Sequence, residues 1–245
     1  SYKWDSADAD VIPLWVADMD FRTAPCIIDA LSDRVRHGVF GYEKVPDAWY
    51  EALQGWFARR HGWQIRREEV LCTTGVVPAV SAVIKAFTRP GDGVALMTPA
   101  YNCFFSSIRN NGCFAAETAL LMGNAGWTID FAALEKTLAD PRVKVFLFCS
   151  PHNPVGRVWT ADEIRRTAQI AHQAGVLFVC DEIHGEFVFG GSRYLPAAQV
   201  EGVDPLRTVI LTSPTKTFNL AGAGIAAIIA AGPKVRAKID RAIND

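Results

Sequence analysis

The chain has 245 residues, half of them hydrophobic, and a formal net charge of −1 built from interspersed signs. That length allows one large core or two small ones, with 14 Phe and 7 Trp to fill them. The charge balance argues against a nucleic-acid footprint or a polybasic membrane patch, and the longest apolar stretch, 220–232, is too short to cross a bilayer.

The elements follow in chain order. A helix is expected from Thr23-Ala24-Pro25, with Ile28, Leu31 and Val35 buried and Gly38 as its stop. The next places Trp49, Leu53, Trp56 and Phe57 on one stripe and stops at Gly62. A strand at 70–73 leads through Thr74-Gly75 into a helix with Val77, Val80, Ile84 and Phe87 turned inward. Further strands are expected at 94–98, 143–149, 176–180, 208–212 and 224–230. All are nearly continuous in apolar residues, as strands covered on both faces should be. Thr160-Ala161-Asp162-Glu163 is a capping box that opens a helix burying Ile164, Ala168 and Ala171, closed by Gly175. The Ala- and Gly-rich stretch 220–232 is expected to be buried core. Strands alternating with helices imply an α/β fold: a mostly parallel sheet flanked by helices. In such sheets ligands bind beyond the carboxyl ends of the strands. Gly75, Asn153, Asp181 and Lys216 all fall just past expected strand ends.

No basic and apolar leader opens the sequence, and the six cysteines are scattered without a C-x-x-C pair. A reduced, cytoplasmic setting is the expectation.

Three motifs concentrate the chemistry: Ser150-Pro151-His152-Asn153-Pro154-Val155-Gly156, Asp181-Glu182-Ile183-His184 and Ser213-Pro214-Thr215-Lys216-Thr217-Phe218-Asn219. A neutral lysine amine can form a Schiff base with a cofactor aldehyde, and an aspartate can hold a pyridine nitrogen protonated. Read bare, Lys216 is also compatible with a solvated surface lysine. Asp181 could be a helix cap, Asn153 an ordinary Asn-Pro turn residue, and Tyr101 a packing aromatic at a helix start. Glu182 fits either a site or a structural salt bridge. The amides after Gly75 could bind phosphate at a helix start, with hydroxyls of Ser213 and Thr215 added to them. His152 and His184 lack a second ligand at metal-site spacing, and no G-x-S-x-G elbow or G-x-G-x-x-G turn is present.

Taken jointly and in order, the sequence resembles the fold-type I pyridoxal-phosphate enzymes. Within them it resembles the cystathionine β-lyase (C–S lyase) branch of the class I/II aminotransferases. The resemblance is carried by Trp15-Val16-Ala17-Asp18-Met19-Asp20-Phe21, Gly41-Tyr42, Thr74-Gly75-Val76-Val77-Pro78, Thr98-Pro99-Ala100-Tyr101 and the three motifs above. It implies pyridoxal 5'-phosphate as cofactor and an amino-acid substrate. Lys216 would form the Schiff base, Asp181 would hold the ring nitrogen, Asn153 the phenolate oxygen, and Tyr101 would stack on the ring. The phosphate would rest on Gly75, Val76, Val77, Ser213 and Thr215. His184 stands where many aminotransferases have tyrosine and the lyase branch often has histidine. Tyr42 would reach the phosphate of a neighbouring subunit in a homodimer.

Two departures stand out. Gly224 occupies the position, eight residues after the lysine, where aminotransferases commonly carry a phosphate-binding arginine. Family members also run well beyond 245 residues, and their C-terminal domain holds the arginine for the substrate carboxylate. The resemblance therefore implies residues 1–38 as part of a small domain with its linker helix. It implies 39–245 as a large cofactor domain, truncated at its C-terminal side. The activities implied are α,β-elimination from a sulfur amino acid or, with the same residues, amino transfer. A binding or regulatory protein on the same fold is the alternative from another class; its mark would be loss of the lysine or the aspartate, and both are present.

Overall fold

The computed structural model describes residues 1–124 and 126–244. Its first part is helical: α1 (Tyr2–Asp5), α2 (Pro25–His37) and α3 (Asp47–His61). There follow β1 (Val70–Thr73), α4 (Val76–Phe87), β2 (Gly93–Thr98), α5 (Asn102–Asn110) and β3 (Phe114–Ala119). A short hairpin, β4 (Leu121–Gly123) and β5 (Gly126–Thr128), leads to α6 (Phe131–Leu138) and β6 (Val143–Cys149). The rest is α7 (Ala161–Gln173), β7 (Leu177–Asp181), β8 (Thr208–Thr212), the one-turn α8 (Pro214–Thr217), β9 (Ala226–Ile229) and α9 (Pro233–Asn244).

The main sheet has the order β1-β9-β8-β7-β6-β2-β3. Neighbours from β8 to β3 pair parallel, and β9 pairs antiparallel with both β8 and β1. Since β9 alone is reversed, β1, β2, β6, β7 and β8 end at one edge, and β9 begins there. The expected α/β architecture is present, with every apolar run read as a strand lying in this sheet.

Two cores cover the two faces of the sheet. Phe146, Phe148, Phe178 and Trp159 anchor one, and Val80, Ile84, Leu96, Val179 and Ile228 anchor the other. Each fully buried large apolar side chain contributes roughly 1.5–3 kcal/mol. The capping box before α7 is made in both directions: Glu163 N–H donates to Thr160 Oγ1 at 3.2 Å, and Thr160 N–H donates to Glu163 Oε2 at 2.8 Å.

Three expectations need correction. The stripe on α2 is not buried: Leu31 and Val35 are exposed, and no side chain of this helix is buried among the described residues. The helix forms where its periodicity and its cap at Gly38 place it, but periodicity reports an apolar face and not what covers it. Val77 is exposed rather than inward because it sits in the first turn of α4, over the end of the sheet. In the stretch 220–232 only 226–230 is continuously buried; residues 221–224 form an exposed turn at the strand-end edge.

Candidate active site

The site is built at the common strand-end edge. Register Cys149↔Asp181 between β6 and β7, with Ser150 N–H donating to Asp181 O at 2.9 Å, sets Asp181 beside the start of the Ser150–Gly156 loop. Beyond β8, Ser213 caps α8 by accepting from Thr215 N–H at 3.1 Å, and Lys216 lies on that single turn. Gly75 caps α4 in extended backbone without a side chain to offer, so the helix itself leaves the first-turn amides of Val76 and Val77 as open donors.

These pieces surround one cavity of about 670 Å³. Lys216, Asp181, Asn153, Tyr101, Gly75, Val76, Val77, Thr215 and His184, all candidates from the sequence, line it. The Lys216 ammonium has no hydrogen-bond or ion-pair partner among the described residues, while its charge reaches both Asp181 and His184.

Asp181 is 5% exposed, and burial raises its carboxyl to about 6 against the opposing pull of the Ile183 N–H and Lys216. The Ile183 amide donates to Asp181 Oδ1 at 3.1 Å. Oδ2 has no hydrogen-bond partner among the described residues. Burial, then the Lys216 charge, holds His184 below its ordinary range, so its ring is neutral at pH 7. Burial also raises the Tyr101 hydroxyl, with Cys103 and Asp181 adding to the effect.

Neighbouring loops fix the lining. His152, buried and lowered in pKa by that burial, donates from Nε2 to Pro99 O at 2.9 Å. It thereby ties the loop of Asn153 to the loop of Tyr101. The buried Cys149 Sγ donates to Pro151 O at 3.1 Å, and Trp159 Nε1 donates to Cys149 O at 2.9 Å. Glu182, whose role the sequence left open, neither lines this cavity nor forms a salt bridge among the described residues. It accepts from the Tyr194 hydroxyl and, at 2.7 Å, from Ala197 N–H.

Two predicted residues lie elsewhere. Ser213 lines a second, aromatic-walled cavity of about 240 Å³, and its hydroxyl donates to Ile225 O at 2.6 Å. Tyr42 is fully exposed and lines neither of these cavities. Sequence reasoning also left three lining groups without a role. Trp15, Val16 and Ala17 face the cavity from the N-terminal segment, Cys103 stands two residues after Tyr101, and Cys149 closes β6. The position of Cys149, last in an apolar strand and just before the Pro-rich loop, was the available signal.

The donor set suits pyridoxal phosphate. It combines an amine, a buried carboxylate with an unpartnered oxygen, an aromatic ring and an amide beside a helix N-terminus, all on one cavity. Gly224 lines the same cavity at φ 54, and a Cβ there would stand 3.3 Å from Thr74 O. The arginine of many aminotransferases would not enter this backbone unstrained.

The model of the family "Aminotransferase class I and II" matches residues 9–244. The chain belongs to this family. Among its relatives, cystathionine beta-lyase PatB of Bacillus subtilis is 37% identical over all of this chain and 64% of its own length. Protein MalY of Escherichia coli is 39% identical over 86% of this chain and 54% of its own. The crystal structure of cystalysin from Treponema denticola, which contains a pyridoxal 5'-phosphate cofactor, superposes with a TM-score of 0.93 at 36% identity. It covers 99% of this chain and 63% of cystalysin. The chain thus spans between about half and two thirds of the length of these relatives, and the fold is the fold-type I architecture expected from its motifs.

Proposed function

We propose that the protein is a pyridoxal-phosphate-dependent carbon–sulfur β-lyase acting on a sulfur amino acid such as cystathionine. The observation that carries this is the convergence of Lys216, Asp181, Asn153, Tyr101 and the α4 N-terminus on one cavity walled by the 15–17 segment. The names of relatives PatB and cystalysin support the same reading.

Pyridoxal phosphate, when bound, supplies an electron sink for negative charge developing at the substrate Cα. Asp181 Oδ2 would accept a hydrogen bond from the protonated ring nitrogen and keep the ring cationic. Asn153 would donate its amide N–H to the ring's phenolate oxygen, and Tyr101 would hold one ring face. The Val76 and Val77 amides, with the positive end of the α4 dipole, would hold the phosphate; the Thr215 hydroxyl lies close enough to the cavity to join them. Ser213 would support this set through its cap on α8. The Lys216 amine would take the proton from the substrate Cα and return it where the leaving thiolate departs at Cβ. The products would be a thiol and aminoacrylate, which one water hydrolyses to pyruvate and ammonia.

The second reading is amino transfer with the same residues. It is favoured by relatives such as the probable N-succinyldiaminopimelate aminotransferase DapC of Mycobacterium tuberculosis, 30% identical over 81% of this chain. A homodimer with Tyr42 reaching the partner's phosphate fits the exposure of Leu31, Val35, Val39, Phe40 and Tyr42 along one stretch. Residues 1–38 would belong to a small domain and 39–245 to the cofactor domain. Six free cysteines fit a cytoplasmic setting. No described helix is long and apolar enough to cross a membrane.

Incubating the holoenzyme with cystathionine and no keto-acid acceptor tests the reaction. Release of pyruvate is expected, and transfer that strictly requires an acceptor would reject the lyase reading. Lys216→Ala should abolish the visible absorbance of the bound cofactor; retained absorbance would reject the assignment of the lysine.

A further inference from the structure

Residues 15–21 belong to no helix or strand, and the first three, Trp15, Val16 and Ala17, line the cavity. Backbone groups of such a segment must find partners outside regular structure. Asn219 provides three of them. Its Oδ1 accepts from Met19 N–H at 3.1 Å, and its Nδ2 donates to Met19 O at 3.0 Å and to Phe21 O at 2.9 Å. Next to it, Phe218 O accepts from Thr23 Oγ1 at 2.7 Å.

Asn219 stands three residues after Lys216 and takes φ 54, the left-handed region that Asn tolerates better than most residues. The segment is braced on its other side by α1. Buried Lys3 pairs with Asp20 Oδ2 at 2.7 Å, Trp4 Nε1 donates to Asp20 Oδ1 at 2.8 Å, and the rings of Tyr2 and Trp15 meet edge to face at 5.3 Å. Of the two braces, only Asn219 joins the wall to the turn that carries the lysine.

We propose that Asn219 is a positioning residue that holds the Trp15–Val16–Ala17 wall in register with Lys216 and so sets how tightly the amino-acid substrate is bound. This rests on the reading of the cavity given above. Donor and acceptor are both required of the side chain, since one amide pairs with a backbone N–H and two carbonyls. Asn219→Gly removes all three bonds while admitting the positive φ. Asn219→Asp keeps the acceptor and loses both donations.

Both variants and the wild-type holoenzyme are compared by hydrogen exchange of peptides covering 15–21, by spectral titration with cystathionine, and by steady-state kinetics. In Asn219→Gly, exchange in 15–21 is expected to speed by about tenfold or more, and both Kd and KM to rise by about tenfold, with kcat within about threefold. Asn219→Asp should lie between it and wild type, and the visible absorbance of bound cofactor should be unchanged in both. Unaltered exchange in 15–21 would overturn the proposal, as would fast exchange with unaltered Kd. Loss of cofactor absorbance would overturn it too, since Asn219 would then hold the lysine turn rather than the wall. A wild-type protein that binds cystathionine without turning it over rejects the activity alone; exchange and the titration still decide the role of Asn219.

Discussion

Replacing Asp181 by Asn should stabilise the cofactor-free protein while destroying its grip on the cofactor. The carboxyl is buried, and that burial moves it from 3.8 to about 6. Its pKa in the folded state is therefore above that in the unfolded state, so the folded chain holds more protons between these values and loses stability as pH rises through them. Below pH 3.8 the group contributes nothing; above about 6 the full penalty is present. The shift is about two units, and at 1.36 kcal/mol per unit the ionised group destabilises the apoprotein by roughly 3 kcal/mol at pH 8. The side-chain amide of the Asp181→Asn variant would keep the acceptor for Ile183 N–H and carry no charge. For a chain of this size 3 kcal/mol corresponds to a rise in Tm of roughly 6–12 °C. Urea unfolding of both apoproteins at pH 5 and pH 8 measures it. The variant should gain roughly 3 kcal/mol at pH 8 and about half of that at pH 5, and its affinity for pyridoxal phosphate should fall by at least about a hundredfold. Equal stability of the two proteins at pH 8, or a gap that does not change with pH, would refute the reasoning.

Two further outcomes follow from single contacts. Gly224→Arg places a side chain at φ 54 with its Cβ 3.3 Å from Thr74 O, so it should lower stability by about 1–2 kcal/mol and weaken cofactor retention; thermal unfolding and dialysis against cofactor-free buffer check both. Tyr194→Phe removes a donor from the buried Glu182, which burial raises to about 7 against the pull of that hydroxyl. The loss should be roughly 1–3 kcal/mol and larger at pH 8 than at pH 6, because the hydroxyl favours the ionised carboxylate and its removal lifts the carboxyl further; denaturant midpoints at the two pH values read the difference.

How much of this was legible in the sequence depended on whether one element or a pair of elements carried the signal. β6 and β7 are buried over most of their length, so their apolar runs announced them. β3 did not stand out: it lies at the sheet edge, only one of its six residues is buried, and Glu117 is open to solvent. β4 and β5 are three residues each, too short for any period to register. Nine of the residues chosen for the site line one cavity because each sits at or beyond the end of an element that does carry a strong pattern. Ser213 was legible as a residue of the lysine turn, but not its hydroxyl's bond to the Ile225 carbonyl, which lies twelve residues on.

The same distinction explains why Asn219 and Lys3 could not be weighed beforehand. Both act between segments far apart in sequence, about 200 residues for Asn219 and 17 for Lys3, so no local window of sequence shows the pairing. A lysine at position 3 reads as solvated until Asp20 and Asp18 O close on it, leaving it 3% exposed. The N-terminal segment is thus fixed by charge and amide pairing rather than by apolar burial: Ile12, Leu14, Trp15 and Phe21 remain exposed. A wall held by a few polar contacts opens locally at lower free energy than the sheet beneath it. That places the yielding part of the cavity on the side of Trp15, and the rigid part on the side of Asp181, where the ring nitrogen would have to be held still.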